Sequence, residues 1–348
     1  MGYIQLTPDR LREICVELLV KSDVSHDNAV IIANILVDGD LRGVESHGVR
    51  KLPTYIERIR KGELNPKPEM RVTRENDNTA VIDGDRCPGG LAAYKAMQMA
   101  IKKAETHAIG AVAVRNVGRC GALAYFTSMA LEHNMIGFMT AQGATKVPPY
   151  GGKSRLLNTS PWSFAFPAEN RAPIVLDMAA TIASNGKIAI AEYKKEKIPS
   201  TWILNKDGQP TDDPADAATG FQQWIGGYKG FGLAVVDQLL AGILGSGSFL
   251  GAEQPNTDVF NRGHFILAMN IESFIPADVY KKLVDDYIDK LKASELIDGV
   301  AEILLPGERS YRAKQSSILN NCVSVIDTTW SKFEKIAGER GVSLENLM

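Results

Sequence analysis

Apolar residues recur at helical spacing through the first sixty positions. Thr7 and Pro8 supply an N-cap and a residue tolerated in a first helical turn, and Leu11, Ile14, Cys15, Leu18 and Leu19 then mark one buried face. A second helix starts near Ser25 and carries Ile31, Ile32, Ile35 and Leu36 towards a bend at 43–48. A third runs from about Val49, with Pro53 early in it, through Ile56 and Ile59 to a stop at Gly62. From about residue 70 the pattern changes. β-type runs at 79–82, 110–114 and 135–140 alternate with helices over 91–107 and roughly 121–133, and further strands are expected at 162–166, 173–178 and 264–271. The turn-rich stretch 205–227 reads as an exposed connection, and the apolar run 233–244 as a helix that must be buried. Amphipathic helix returns after Pro276 and over 328–338, interrupted at 304–308. The pattern predicts an α/β fold in which an α/β domain, residues 76–276, is inserted in a helical domain made of both chain ends, residues 1–75 with 277–348.

Composition narrows the function classes. The 348 residues are 45% hydrophobic and 23% charged, with a formal net charge of −2, so neither disorder nor a global field for nucleic acid or an anionic membrane is expected. Cys15, Cys87, Cys120 and Cys322 are scattered without metal-ligand spacing, which fits a reducing cytoplasm and predicts no metal site. The first residues lack the charge pattern and apolar run of a signal peptide, and no long uncharged apolar span follows; a soluble, cytoplasmic protein is expected.

Familiar catalytic fingerprints are missing. No strand is followed by GxGxxG, and the glycine-rich run 245–251 has the wrong spacing and follows a helix, so it reads as a helix-terminating loop. A P-loop, a zinc-protease helix motif and a nucleophile elbow are also absent, which leaves phosphoryl transfer and hydrolysis without support. The bend Ser46-His47-Gly48-Val49-Arg50-Lys51 is the informative fragment. An imidazole there can exchange a proton near neutrality while the two cations hold an anion. Taken alone, the fragment also fits an N-cap, a flexible glycine and a histidine with no chemistry.

The run Asp40-Leu41-Arg42-Gly43-Val44-Glu45-Ser46-His47-Gly48-Val49, followed by Leu52-Pro53 and Tyr55, resembles the first signature of the type 2 malate/L-lactate dehydrogenase family. That family includes sulfolactate and ureidoglycolate dehydrogenases, diketogulonate reductase and cyclic-imine reductases. Asn116 to Tyr125, Val147-Pro148-Pro149-Tyr150-Gly151-Gly152, Leu176-Asp177-Met178-Ala179, Gly227-Tyr228-Lys229-Gly230-Phe231-Gly232-Leu233 and Pro306-Gly307-Glu308 agree in order, so the likeness covers nearly the whole chain. It implies NAD or NADP on a non-Rossmann nicotinamide-binding α/β domain, and a homodimer with active sites near the subunit interface. Cofactor contacts are implied at Gly143, Ser160, Asp177, Met178, Ala179, Tyr228, Lys229, Gly307 and Glu308. Asp177 fits equally a carboxylate that caps the turn after its strand, and Lys229 a solvated loop lysine.

The same resemblance makes His47 the acid/base group, with Ser46 orienting it or touching substrate, Lys51 and Arg119 acting beside it, and Arg50 and Tyr55 binding substrate. Tyr55 also fits a core tyrosine. Four positions depart from the family pattern. Lys51 stands for an arginine, Arg119 for a second histidine, Ser160 for an asparagine and Gly143 for a serine. A guanidinium transfers protons poorly near neutrality but clamps anions well. Charge-assisted contacts at ~1.5–3 kcal/mol each would give roughly 3–6 kcal/mol of discrimination in favour of a dianion. The expected activity is therefore hydride transfer between nicotinamide and a small, malate-like 2-hydroxy or 2-oxo acid. Ureidoglycolate oxidation, cyclic-imine carboxylate reduction and a non-catalytic metabolite-binding role are the alternatives.

Overall fold

The computed structural model describes residues 2–245 and 262–344; of the run 245–251 only Gly245 lies within them. The chain begins with β1 (Tyr3–Leu6), and the Thr7 hydroxyl caps the Arg10 amide at 3.3 Å to start α1 (Pro8–Val20). α2 (His26–Leu41) follows, then short 3-10 turns at Glu45–His47 and Val49–Lys51, and α3 (Leu52–Arg60). The middle of the chain lays down β2 (Arg71–Glu75), β3 (Thr79–Cys87), α4 (Gly89–His107), β4 (Ile109–Val117), α5 (Ala124–Met129) and β5 (Met135–Ala141). Next come β6 (Pro161–Phe166), β7 (Ile174–Ala179), α6 (Asn185–Lys194), β8 (Ile203–Leu204), β9 (Pro210–Thr211), β10 (Phe221–Gln222) and α7 (Tyr228–Asp237). The chain continues through β11 (Arg262–Asn270), α8 (Ala277–Lys292), α9 (Glu308–Leu319), β12 (Val323–Ile326) and α10 (Asp327–Arg340).

Seven strands form the central sheet in the order β2-β3-β4-β11-β5-β6-β7. β3 and β4 pair in parallel, whereas the other neighbours run antiparallel. A doubly wound nucleotide fold needs a mainly parallel sheet, so this mixed topology agrees with the missing glycine fingerprint. Helices α4 and α5 press closely on one face because a row of small residues crosses it, with Gly110 opposite Ala268, Ala268 opposite Gly137, and Gly137 opposite Ala165. A Cβ on Gly110 would strike the Ala100 carbonyl, and one on Gly137 the Thr127 carbonyl. Side chains alternate across a strand, so the next residues point to the opposite face. There Phe138 lies 5.6 Å from Trp162 and 4.7 Å from Phe164, ring centre to ring centre, in an aromatic patch.

Both chain ends contribute to one core. β1 pairs antiparallel with β12, Tyr3 opposite Ile326 and Leu6 opposite Val323. Behind this ribbon Leu11, Leu18, Leu36, Leu52, Trp330 and Phe333 are buried together. A second core fills the space between the sheet and α4–α5, and Ile35 of α2 reaches into it. α8 is tied to the β6–β7 turn, where the Asp285 carboxylate accepts the backbone N–H groups of Glu169, Asn170 and Arg171. Among the described residues no helix is long and apolar enough to cross a membrane, and no cluster of three potential metal ligands forms.

Two expectations are corrected. The 205–227 stretch, although mostly exposed over 206–213 as expected, is more than a connection, because its β9 and β10 pair with β8 in a small sheet and Phe221 and Trp224 are buried. Its Gly and Asp residues are the turns between these strands. The run 233–244 is not uniformly buried. α7 ends at Asp237 and a π-helical turn, Gln238–Ile243, follows; Ala234 and Ala241 are buried, but Val236, Leu239 and Leu244 stay 42%, 50% and 56% exposed in the single chain. The short strands β1, β2 and β12, and helices α6 and α9, have no counterpart in the periodicity. Truncation of Phe333 to Ala, which removes a ring from the core shared by both ends, is expected to lower stability by about 3–5 kcal/mol. A leftward shift of the urea unfolding midpoint measures it; an unchanged midpoint would refute the shared core.

Candidate active site

The bend after α2 is held by one carboxylate. Asp40 accepts the Val49 N–H at 2.7 Å, and Gly48 lies so close to it that a Cβ there would collide with the carboxyl group. Burial pushes the Asp40 pKa up to about 7, although the Val49 amide opposes the shift. A Cβ on Gly39 would likewise come within 3.1 Å of the His47 carbonyl, so two glycines let α2 and the bend approach at backbone distance. Position 47 is thereby fixed against the end of a helix.

His47 Nδ1 lies 2.9 Å from Ser46 Oγ. The serine hydroxyl can donate to that nitrogen or accept from it, which leaves Nε2 as the ring atom available for proton exchange. Burial, then the charges of Lys51, Arg119 and Arg50, push the His47 pKa down to about 4. The imidazole is therefore neutral at pH 7. Lys51 is itself lowered to about 8, by burial first and then by Arg50, Arg119, Arg58 and Lys146. Among the described residues neither Arg50 nor Lys51 enters a salt bridge. Tyr55 is buried, and its hydroxyl donates to the Arg119 carbonyl at 3.4 Å, linking α3 to the loop that carries Arg119.

Thus Ser46, His47, Arg50, Lys51, Tyr55 and Arg119, drawn from positions 46 to 119, meet at one place. Sequence reasoning missed Arg58 and Lys146, which add to the same positive field. Arg58 lies two turns along α3 from Lys51, a spacing that points to a shared face. Lys146 has no local signal, because only the tertiary fold brings it near.

The residues implied for the cofactor divide into two groups. Ile225 N–H bonds the Ala180 carbonyl at 2.9 Å and Gly230 packs on the same carbonyl, so Tyr228 and Lys229 stand exposed beside the end of β7, close to Met178 and Ala179. Gly226 and Gly227 precede them with φ of +58° and +63°, a turn that glycine makes without strain. Gly143 belongs to the same end through Asn158, and Ser46 through Gly186 at the start of α6, whose Cβ would come within 3.0 Å of the serine Cβ. Glycines at close approaches and an exposed ammonium at the N-terminus of a ten-residue helix suit a phosphate-bearing cofactor.

The other group is differently employed. Asp177 accepts the Ala124 N–H at 2.8 Å and so caps α5, a structural role different from the cap on the turn after its own strand that the sequence suggested. Ser160 is fully buried, with its hydroxyl bonded to the Asn158 carbonyl, which puts it beneath the cradle rather than in it. Gly307 and Glu308 pack near Val175, towards the opposite end of β7, and the Glu308 carboxylate is held by Lys292 at 2.8 Å and by Arg312. The Ser160 hydroxyl and the Glu308 carboxylate are thus engaged by the protein itself rather than turned towards the Tyr228–Lys229 cradle.

Comparison with known proteins gives a consistent answer. A family model described as malate/L-lactate dehydrogenase matches residues 6–334. The L-sulfolactate dehydrogenase of Methanocaldococcus jannaschii is 35% identical over 345 residues, 98% of each chain, and its solved structure superposes with a TM-score of 0.90 over 99% of both chains. A malate dehydrogenase of Pyrococcus horikoshii is 34% identical over 91% of this chain and 90% of its own. A ureidoglycolate dehydrogenase (NAD(+)) of Escherichia coli is 29% identical over 93% of each.

NMR titration is expected to place the His47 pKa near 4 and to find it raised in Lys51→Met, because a neighbouring cation is removed. An unshifted value in the variant would show that Lys51 does not act on this ring. Since the native ring takes its proton well below the ordinary 6.5, its contribution is a loss of fold stability as pH falls through that window.

Proposed function

Since this chain belongs to the malate/L-lactate dehydrogenase family, we propose that it is an NAD- or NADP-dependent oxidoreductase acting on a small dianionic 2-hydroxy or 2-oxo acid of the malate or sulfolactate type. One observation carries the choice of substrate: a neutral imidazole set among Arg50, Lys51 and Arg119, with Arg58 and Lys146 behind them. A dianion offers a charge to more than one of these cations, whereas lactate would leave part of the field uncompensated.

Met178, Ala179, Tyr228 and Lys229 would hold the nicotinamide cofactor, which would supply or accept the hydride exchanged with C2 of the acid. His47 handles the accompanying proton. In oxidation its neutral Nε2 takes the proton of the C2 hydroxyl, and Ser46 steadies the charged ring through Nδ1. In reduction the ring must first be protonated. The bound acid assists, because its negative charges offset the cations that otherwise keep His47 neutral. Lys51 and Arg119 hold the acid groups, and Arg50 reinforces them. The exposed apolar side chains Val236, Leu239, Ile243 and Leu244 support assembly as a homodimer, which would cover them.

Steady-state assays with L-malate, L-sulfolactate, L-lactate and ureidoglycolate, each with NAD and NADP, test the reading. A dianion should be preferred over lactate in kcat/KM; lactate preference, or reduction of a cyclic imine alone, would overturn it. His47→Ala should lower kcat by roughly 10²–10⁴-fold, and an unchanged rate would move the proton transfer elsewhere. Oxalate binding should raise the His47 pKa, read by the same NMR titration.

A further inference from the structure

α7 carries Tyr228 and Lys229 at its start and a buried carboxylate at its end. Asp237 is 0% exposed. One of its oxygens lies 2.5 Å from Thr140 Oγ1 in β5, the other 3.0 Å from Asn158 Nδ2, and the Ser160 hydroxyl is shared between this carboxylate and the Asn158 carbonyl. Burial pushes its pKa up to about 6, while these three donors favour the ionised form. A fully enclosed carboxylate is an expensive way to fill a core, because an apolar side chain of similar volume needs no partners. Its partners also form the floor of the proposed cofactor cradle. Asn158 Oδ1 accepts the Ser160 N–H at 2.5 Å and holds that residue at φ +46°. The Thr159 and Ser160 carbonyls receive the Ala180 N–H, and a Cβ on Gly143 would meet the Asn158 Cβ at 3.3 Å. Directly after Asp237 the helix changes to a π turn, an irregularity that often accompanies functional sites.

We propose that Asp237 is a positioning residue for the nicotinamide cofactor: it fastens α7 to β5 and to the turn 158–160, and so sets Tyr228 and Lys229 against Gly143 and the end of β7. The proposal rests on the dehydrogenase reading. Its prediction is a selective loss of cofactor affinity, since the acid-binding cations lie on other elements.

The test is fluorescence titration of the full chain with NADH and NADPH, together with thermal melting and the KM for each substrate. Asp237→Ala should raise the cofactor Kd about tenfold or more, as expected when a supporting contact is lost and the site shifts, and leave the KM of the acid unchanged. Asp237→Asn keeps one acceptor for Asn158 and offers a donor to Thr140, so it should restore most of the affinity. Thr140→Val removes one arm without changing shape and should weaken cofactor binding by a smaller factor; it decides the matter should Asp237→Ala fail to fold. A lower melting temperature with unchanged cofactor Kd, or an equal rise in the KM of the acid, overturns the proposal. Wild-type protein that binds neither NADH nor NADPH overturns the dehydrogenase reading as well; wild-type binding with unaffected variants overturns the Asp237 proposal alone.

Discussion

The bond from the Val49 amide to the Asp40 carboxylate is the constraint on which the site depends. It joins the last turn of α2 to the bend, and it requires a residue without a side chain at position 48. Once the bend is fixed, Ser46 and His47 face in a set direction, and Arg50, Lys51 and Tyr55 follow on the next helical turns. The core made by both chain ends backs this arrangement, since Val49, Leu52, Tyr55 and Ile56 pack in the same cluster as Trp330 and Phe333. Core and candidate site are thus joined in one short stretch: the residues that face inward anchor the bend that carries His47 and its neighbouring cations.

The electrostatics of the site reverse the usual reading of a catalytic histidine. An imidazole among cations does not hold a proton at neutral pH, so in the proposed reaction its resting form would suit oxidation, and reduction would depend on the charge that the substrate brings. The exchange of a family histidine for Arg119 strengthens this dependence. A second titratable ring would let the free protein adjust its charge, whereas a guanidinium keeps the field permanently positive.

Much of this was legible from residue patterns. The helical period of Leu11 to Leu19 and the Thr7-Pro8 start gave α1 within a residue or two, and the central strands were marked by β-branched and small apolar runs. Strands of two to five residues, such as β8 to β10 and β2, carry too few positions for a period to show. The apolar run after Leu233 misled because periodicity measures which side chains avoid water, not whether the same chain covers them. Within the site, the Ser-His-Gly signature located the bend where the cations gather around one imidazole, whereas the cap that Asp177 places on α5, far from the turn after its own strand, had no local signal. Asp237, Lys146 and the employment of Glu308 by Lys292 and Arg312 were invisible, because each is defined by partners distant in sequence.

The ribbon of β1 with β12 has a consequence for how the molecule is made. Residues 3–6 find their partners only at 323–326, so the N-terminal helices leave the ribosome long before the strand and helix that complete their core. The central sheet waits as well, because β11 lies between β4 and β5, and the histidine bend gains its full backing only after β12 and α10 have emerged. A chain interrupted before β12 would therefore carry the bend without the core that backs it.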